Sequence, residues 1–265
     1  MNNHFNVKVF NTVTELGNAA AETIMKQYEE DGKLVLGVPW GTTPVPVFDA
    51  IAELVKQRKI DLSKMQIVVM DEYLTETQSG YFYISKEVSY SGHYHLEKDL
   101  FSKLPGKQAM QLRLNTYFPK PEKPEEFDAF IKSLGGVNIF LVATGAHDGH
   151  VAMNGPGTDI ETRTRIIRIP ETVRQYNFEK MQDQFDNRIE NVPRFGVSVG
   201  LRTILDSHAL LFVAFGGSKA KIIETLFKSK GFDLQYPVTF LWAGADKTEL
   251  YLDEEAAAKN KSVTS

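Results

Sequence analysis

Four short apolar runs constrain this chain more than anything else in it: KLVLGV at 33–38, QIVVM at 66–70, NIFLVA at 138–143 and ALLFVAF at 209–215. Each runs straight into a glycine-bearing or acidic segment, and helical patterns lie between them. Residues 14–30 form one such pattern, with Thr14 and Glu15 near its expected cap. Val47, Phe48, Ile51, Leu54 and Val55 recur at helical spacing in a second, and residues 220–228 make a third. Residues 7–10 are a further β-rich run, and 195–199 and 238–242 are expected to add strands. Short apolar strands alternating with helices predict an α/β fold, a mostly parallel sheet with helices on both faces. Ligands of such sheets sit beyond the carboxyl ends of the strands. Residues 119–124 (PKPEKP) read as a surface linker without a domain boundary, so residues 1–265 are expected to form a single domain.

Composition removes whole classes of function. Hydrophobic residues make up 42% of the chain and charged ones 24%, the balance of a globular protein with a real core. A formal net charge of −4 without a Lys/Arg-rich face argues against nucleic acid, whose phosphates need a cationic footprint. The absence of cysteine excludes disulfides, thiolate catalysis and Cys-type zinc sites. Residues 1–10 lack the charged-then-apolar run of a signal peptide, and no apolar stretch approaches a bilayer span, so a cytoplasmic address without membrane contact is expected.

Four segments that follow the apolar runs could carry chemistry. In GVPWGTTP (37–44), Gly41, Thr42 and Thr43 present amides, hydroxyls and a helix start to an anion; the bland alternative is a strand-to-helix turn with an N-cap threonine. Gly216-Gly217-Ser218-Lys219 opens another helix, where Lys219 beside free amides suits a phosphate, against the alternative of a solvated lysine. Asp71 and Glu72 are adjacent at a strand end, so one of them faces a cleft; a carboxylate there could abstract a proton next to a carbonyl, or merely cap the next helix. The densest segment is GAHDGHVAMNGPG (145–157), where glycines bracket His147, Asp148 and His150. A His–Asp pair can set tautomer and basicity for proton transfer. Metal binding is the rival reading, but no spacing supplies a further ligand, and no G-x-S-x-G elbow supports a Ser-His-Asp system. His93 and His95 lie in a polar stretch and read as surface or loop residues.

In this order, GVPWGTTP, VVMDEYL, GAHDGHVAMNGPGT, ETRTRIIRI, VPRFGVSVGLRTILD and GGSKA resemble the glucosamine-6-phosphate deaminase family and its galactosamine-6-phosphate isomerase/deaminase relatives over most of the chain. The PVTFLW ending (237–242) looks closer to the galactosamine branch. The resemblance implies a Rossmann-like doubly wound sheet, a small sugar-phosphate substrate, and a mechanism with no metal or organic cofactor. By match to the family's positions, Asp71 would move a proton between C2 and C1, and His150, oriented by Asp148, would assist ring opening. Gly41, Thr42, Thr43 and Lys219 would hold the phosphate. Such an arrangement anchors the substrate remotely while proximity serves the proton transfer.

Four departures bear on the substrate. Gly155 stands where the family has a glutamate after the Asn of DGHxAxN, and Glu179 falls where the deaminases carry a phosphate-binding arginine, for which Arg174 is the nearby candidate. Ile167 replaces an effector-binding lysine, so allosteric control is not carried over. Residues 75–85 (TETQSGYFYIS) look like an insertion near the entrance. A hexosamine-6-phosphate isomerase/deaminase of altered specificity is therefore expected, with 6-phosphogluconolactonase or a non-catalytic sugar-phosphate sensor as alternatives. The sugar's C4 configuration and assembly into a homo-oligomer stay open.

Overall fold

Alternate residues of the buried strands face two different cores. Leu34, Leu36, Met65, Ile67, Val69, Ile139, Leu141, Leu211 and Val213 pack into one, and their neighbours Val35, Val68, Met70, Phe140, Val142, Leu210 and Phe212 into the other. A strand that is apolar at every position needs such a layer on each side, because period-two geometry points half of its side chains each way.

The computed structural model describes residues 5–260. In chain order its strands are β1 (Asn6–Phe10), β2 (Leu34–Val38), β3 (Met65–Val69), β4 (Asp71–Thr77), β5 (Gly80–Tyr83), β6 (Thr116–Tyr117), β7 (Ile139–Val142), β8 (Arg165–Arg168), β9 (Phe195–Ser198), β10 (Ala209–Ala214) and β11 (Thr248–Asp253). Its helices are α1 (Val13–Asp31), α2 (Val45–Arg58), α3 (Gly92–Asp99), α4 (Gly106–Leu114), α5 (Glu126–Ser133), α6 (Glu171–Lys180), α7 (Leu201–Leu205), α8 (Ala220–Ser229) and α9 (Glu254–Ala257). Seven strands form a parallel sheet in the order β1-β11-β10-β7-β2-β3-β6. Residues of α1 to α4 cover one face, and those of α5, α7, α8 and α9 the other. This is the expected α/β, Rossmann-like doubly wound sheet. From β2 the chain runs to β3 on one side and later to β7 on the other, which opens a crevice between β2 and β7 at the carboxyl rim.

A second, antiparallel sheet, β5-β4-β9-β8, stands beside this rim. The expected insertion at 75–85 belongs to it, as a hairpin pairing β4 with β5. The region 238–242, expected as a strand, lies instead in a 3-10 segment, Pro237–Lys247. Proline at its start and buried Val238, Phe240 and Leu241 pack it beneath α8 rather than in the sheet. The cap of α1 is Thr12, whose hydroxyl accepts from the Glu15 amide, two residues before the expected Thr14. Among the described residues no helix is long and apolar enough to cross a membrane.

Candidate active site

Three neighbouring strand ends deliver the chemistry. Pro39 to Thr43 follow β2, Asp71 follows β3, and Ala143 and Thr144 follow β7. All of them, with His95, His150, Met153, Tyr176 and Lys180 among others, line one cavity of about 180 Å³ at the β2/β7 crevice. Asp71 and the 145–150 loop thus open onto a common space.

Asp71 is 6% exposed. Burial, helped by the adjacent Glu72 charge and partly opposed by Trp40, pushes its carboxyl up to about 7. Trp40 Nε1 donates to the Asp71 backbone carbonyl at 3.0 Å and so ties the β2 loop to β4. Glu72 points the other way, into the start of α3. It accepts from the amides of Tyr73 (2.7 Å), Gly92 (3.1 Å) and His93 (3.1 Å), and its Oε2 lies 2.8 Å from His93 Nδ1. One carboxylate of the pair is thereby consumed as a helix cap, leaving the other for the cavity.

Between β7 and β8 the glycine-rich loop folds back on itself. Gly145 N donates to the His150 carbonyl at 2.9 Å, and Asp148 Oδ1 accepts from His150 N (3.1 Å) and contacts His150 Nδ1 (2.7 Å). Burial alone would raise the Asp148 carboxyl, but its hydrogen bond with His150 and that group's charge outweigh this and hold it well below the usual carboxylate range. A carboxylate can only accept, so Nδ1 carries a proton toward Asp148, and in the tautomer this bond selects Nε2 is left as a lone pair. A Cβ on Gly145 would lie 2.2 Å from the His150 ring, so this pairing requires glycine there. Asn154 ties the loop to the end of β9 through the Val151 and Val199 carbonyls and does not line the cavity. His147 turns outward to Glu179, 3.2 Å away. Among the described residues no group of three or more His, Cys, Asp or Glu could hold a metal ion.

The two anion-holding segments differ. Gly41, Thr42 and Thr43 line the cavity, and α2 has no side-chain cap, so the threonine hydroxyls are not spent as the bland reading required. Around Lys219, by contrast, the helix-start amides are taken: Gly216 N donates to Asp253 and Gly217 N to Glu255. Lys219 itself is buried rather than solvated, and it lies beneath the cavity wall. Its ammonium donates to the Thr144 carbonyl and to Tyr176 Oη, the latter at 3.0 Å. Burial, with the charge of Lys180 added and that of Asp148 opposing, brings it down to about 8.

Helix α6 covers this end and is where the sequence reading missed most. Arg174 is no phosphate ligand: it is buried, bound to Glu171 and to the Ile189 and Val192 carbonyls. Glu179 faces His147 outside the cavity, and the next residue, Lys180, lines it instead. Asn177 Nδ2 donates to Tyr73 Oη at 2.6 Å, fixing the helix over β4. Gly155 is filled in by packing: a Cβ there would sit 2.9 Å from Pro170 and 3.2 Å from Val173, so α6 occupies the room a glutamate would need. His95, expected at the surface, is buried in the cavity wall on α3, stacked on Trp40 with ring centroids 5.4 Å apart. The His-x-x-x-Asp spacing of His95 and Asp99 on a helix was the signal that could have found it.

A family model described as glucosamine-6-phosphate isomerases/6-phosphogluconolactonase matches residues 10–250. A glucosamine-6-phosphate deaminase of Staphylococcus saprophyticus is 28% identical over 256 residues, covering 93% of this chain and 99% of that protein. That of Lactobacillus johnsonii is 29% identical over 248 residues, covering 92% of each. Among solved structures, a monomeric glucosamine-6-phosphate deaminase superposes with a TM-score of 0.83 at 24% identity, covering 96% of this chain and all of the other. The 6-phosphogluconolactonase from Trypanosoma cruzi gives 0.70 at 14% identity over 98% of both chains.

Proposed function

Because the chain belongs to the glucosamine-6-phosphate isomerase/6-phosphogluconolactonase family, we propose that it is an enzyme converting a hexosamine 6-phosphate to the ketohexose 6-phosphate and ammonia. The observation that carries this reading is one cavity at the strand crevice that Asp71, His150 and the 41–43 turn all line. The near-full-length likeness to glucosamine-6-phosphate deaminases favours it over the lactonase.

In the proposed reaction the phosphate rests on the Gly41, Thr42 and Thr43 turn. Lys180 approaches it from α6, and Lys219 does so once Tyr176 yields. Nε2 of His150, oriented by Asp148, takes the anomeric hydroxyl proton and delivers it to the ring oxygen as the bond from that oxygen to C1 breaks, giving the open-chain aldehyde. Asp71 then removes the C2 proton and returns it to C1 through an enolamine. A carboxyl poised near 7 suits this task, because it is substantially ionised at neutral pH yet basic enough to hold the proton between steps. Water adds at C2 of the resulting imine and ammonia leaves. A phosphorylated substrate belongs to the cell interior, so a cytoplasmic address is part of the same reading.

Ammonia release and ketose formation from glucosamine 6-phosphate and galactosamine 6-phosphate test the proposal. Hydrolysis of 6-phosphogluconolactone without ammonia release would replace it with the lactonase, and binding without either turnover would replace it with the sensor.

A further inference from the structure

The cavity contains a second His–carboxylate pair that the reaction above does not use. His95 and Asp99 lie one turn apart on α3, both buried, with His95 Nδ1 2.9 Å from Asp99 Oδ2. Asp99 accepts, so Nδ1 is the donor, and in the tautomer this bond selects Nε2 presents a lone pair. That Nε2 is buried and has no hydrogen-bond partner among the described residues, although His95 lines the cavity. An orphaned polar atom in a wall is costly unless something in the cavity completes it. Trp40 joins this pair to the reaction centre: its Nε1 bonds the Asp71 carbonyl, and its ring stacks on His95 at an interplanar angle of 24°. An indole face beside a lone-pair acceptor suits a polyol, which offers C–H groups to the one and O–H donors to the other.

We propose that His95, oriented by Asp99, is a specificity-determining residue that accepts a hydrogen bond from one hydroxyl of the sugar chain, the inference resting on the sugar-phosphate reading of this cavity. The division of labour follows from the lining. Residues 41–43 and Lys180 serve the anion, Asp71 serves the reacting carbons, and His95 is left as the acceptor for a hydroxyl between or beyond them.

The test exchanges the whole pair for hydrocarbon in His95→Phe/Asp99→Leu, since replacing both partners of a buried ionic pair with apolar residues is usually neutral for folding. If the pair is only structural, melting temperature and kcat/KM on the active hexosamine 6-phosphate both hold. If His95 reads a hydroxyl, the fold holds but KM rises roughly tenfold to a hundredfold with a smaller change in kcat, because the contact serves ground and transition states alike. His95→Gln, which restores an acceptor, recovers part of the loss. Within a series of deoxy hexose 6-phosphates, the variant and the parent bind equally only to the analogue that lacks the hydroxyl read by His95. A folded double variant with KM within twofold of the parent overturns the inference while leaving the enzyme's reaction standing. A parent that neither turns over nor binds any hexose or hexosamine 6-phosphate overturns the sugar-phosphate reading and this inference with it.

Discussion

At the rim of the sheet, Asp71, His150 and residues 41–43 are delivered by the ends of three neighbouring buried strands whose side chains anchor both main cores. The cover over that rim is different. Tyr176, Asn177 and Lys180 come from one ten-residue helix, α6, held down by a small cluster of Tyr73, Met153, Ile169 and Val173. The rim holds the groups proposed to move protons, while the cover supplies a long-stemmed cation and the phenol that engages Lys219. On the proposed reaction, proton transfer belongs to the rim alone while the anion grip is shared between the rim's 41–43 turn and the cover, so changes at Asp71 or the His150 loop should lower kcat, and cover changes should raise KM.

The rim side of this comparison breaks most easily at Asp71. Asp71→Asn removes the base without adding volume and should lower kcat about a thousandfold, with sugar-phosphate affinity by calorimetry kept within a few-fold. A D71N enzyme of near-normal kcat would sink the assignment. The next largest effect is expected at Gly145. Its added methyl would enter the His150 ring, so Gly145→Ala should displace the His150–Asp148 pair and lower kcat roughly a hundredfold. Because ring opening is the step that suffers, the loss should shrink on an acyclic substrate analogue.

On the cover, Lys180→Ala should raise KM about tenfold while kcat changes little, and the neighbouring Glu179→Ala should alter either by less than about twofold. The reverse ranking would mean that Glu179, not Lys180, turns toward the substrate, and the two layers would no longer be separable. Gly155→Glu sharpens the same point. A glutamate at this position has no room against Pro170 and Val173, so the substitution should destabilise α6 and raise KM rather than increase activity. Circular dichroism melting alongside steady-state kinetics reads both effects.

The difference between rim and cover also explains what could be read from sequence. Buried parallel strands declare themselves as continuous apolar runs, and each ends where a ligand can sit, so Asp71, His150 and the 41–43 turn were legible from the chain alone. Which carboxylate of Asp71-Glu72 faced inward came only from the family resemblance and not from spacing, because it depends on α3 arriving with free amides to claim Glu72. Lys219 was legible as a cation but not as one capped by Tyr176 from a helix some forty residues earlier. The cover was misread because α6 lacks a strong apolar face: its buried residues are only Val173 and Arg174, and gapless spacing put Glu179 where the fold brings Lys180. His95 was misread for a related reason, since a polar stretch says nothing of the indole that buries it.

The smallest expected effect links the stability of the rim to its chemistry. The Asp71 carboxyl titrates near its ordinary value in the unfolded chain and near about 7 in the folded one, so the folded state holds the proton more tightly. Unfolding then becomes easier as pH rises from about 4 to about 7 and levels off above that, by an amount on the order of a few kcal/mol. The amide introduced by Asp71→Asn carries no such proton. The melting temperature of that variant should therefore match the parent near pH 4 and exceed it by roughly 5 °C at pH 8, where the parent must keep a buried charge. Over the same window the parent's kcat/KM should climb as Asp71 ionises, so activity and stability move in opposite directions through one titration. Equal melting curves at pH 8 would mean that the carboxylate is solvated in the folded chain, and a solvated Asp71 would have neither the raised basicity nor the enclosed position that the proton transfer needs.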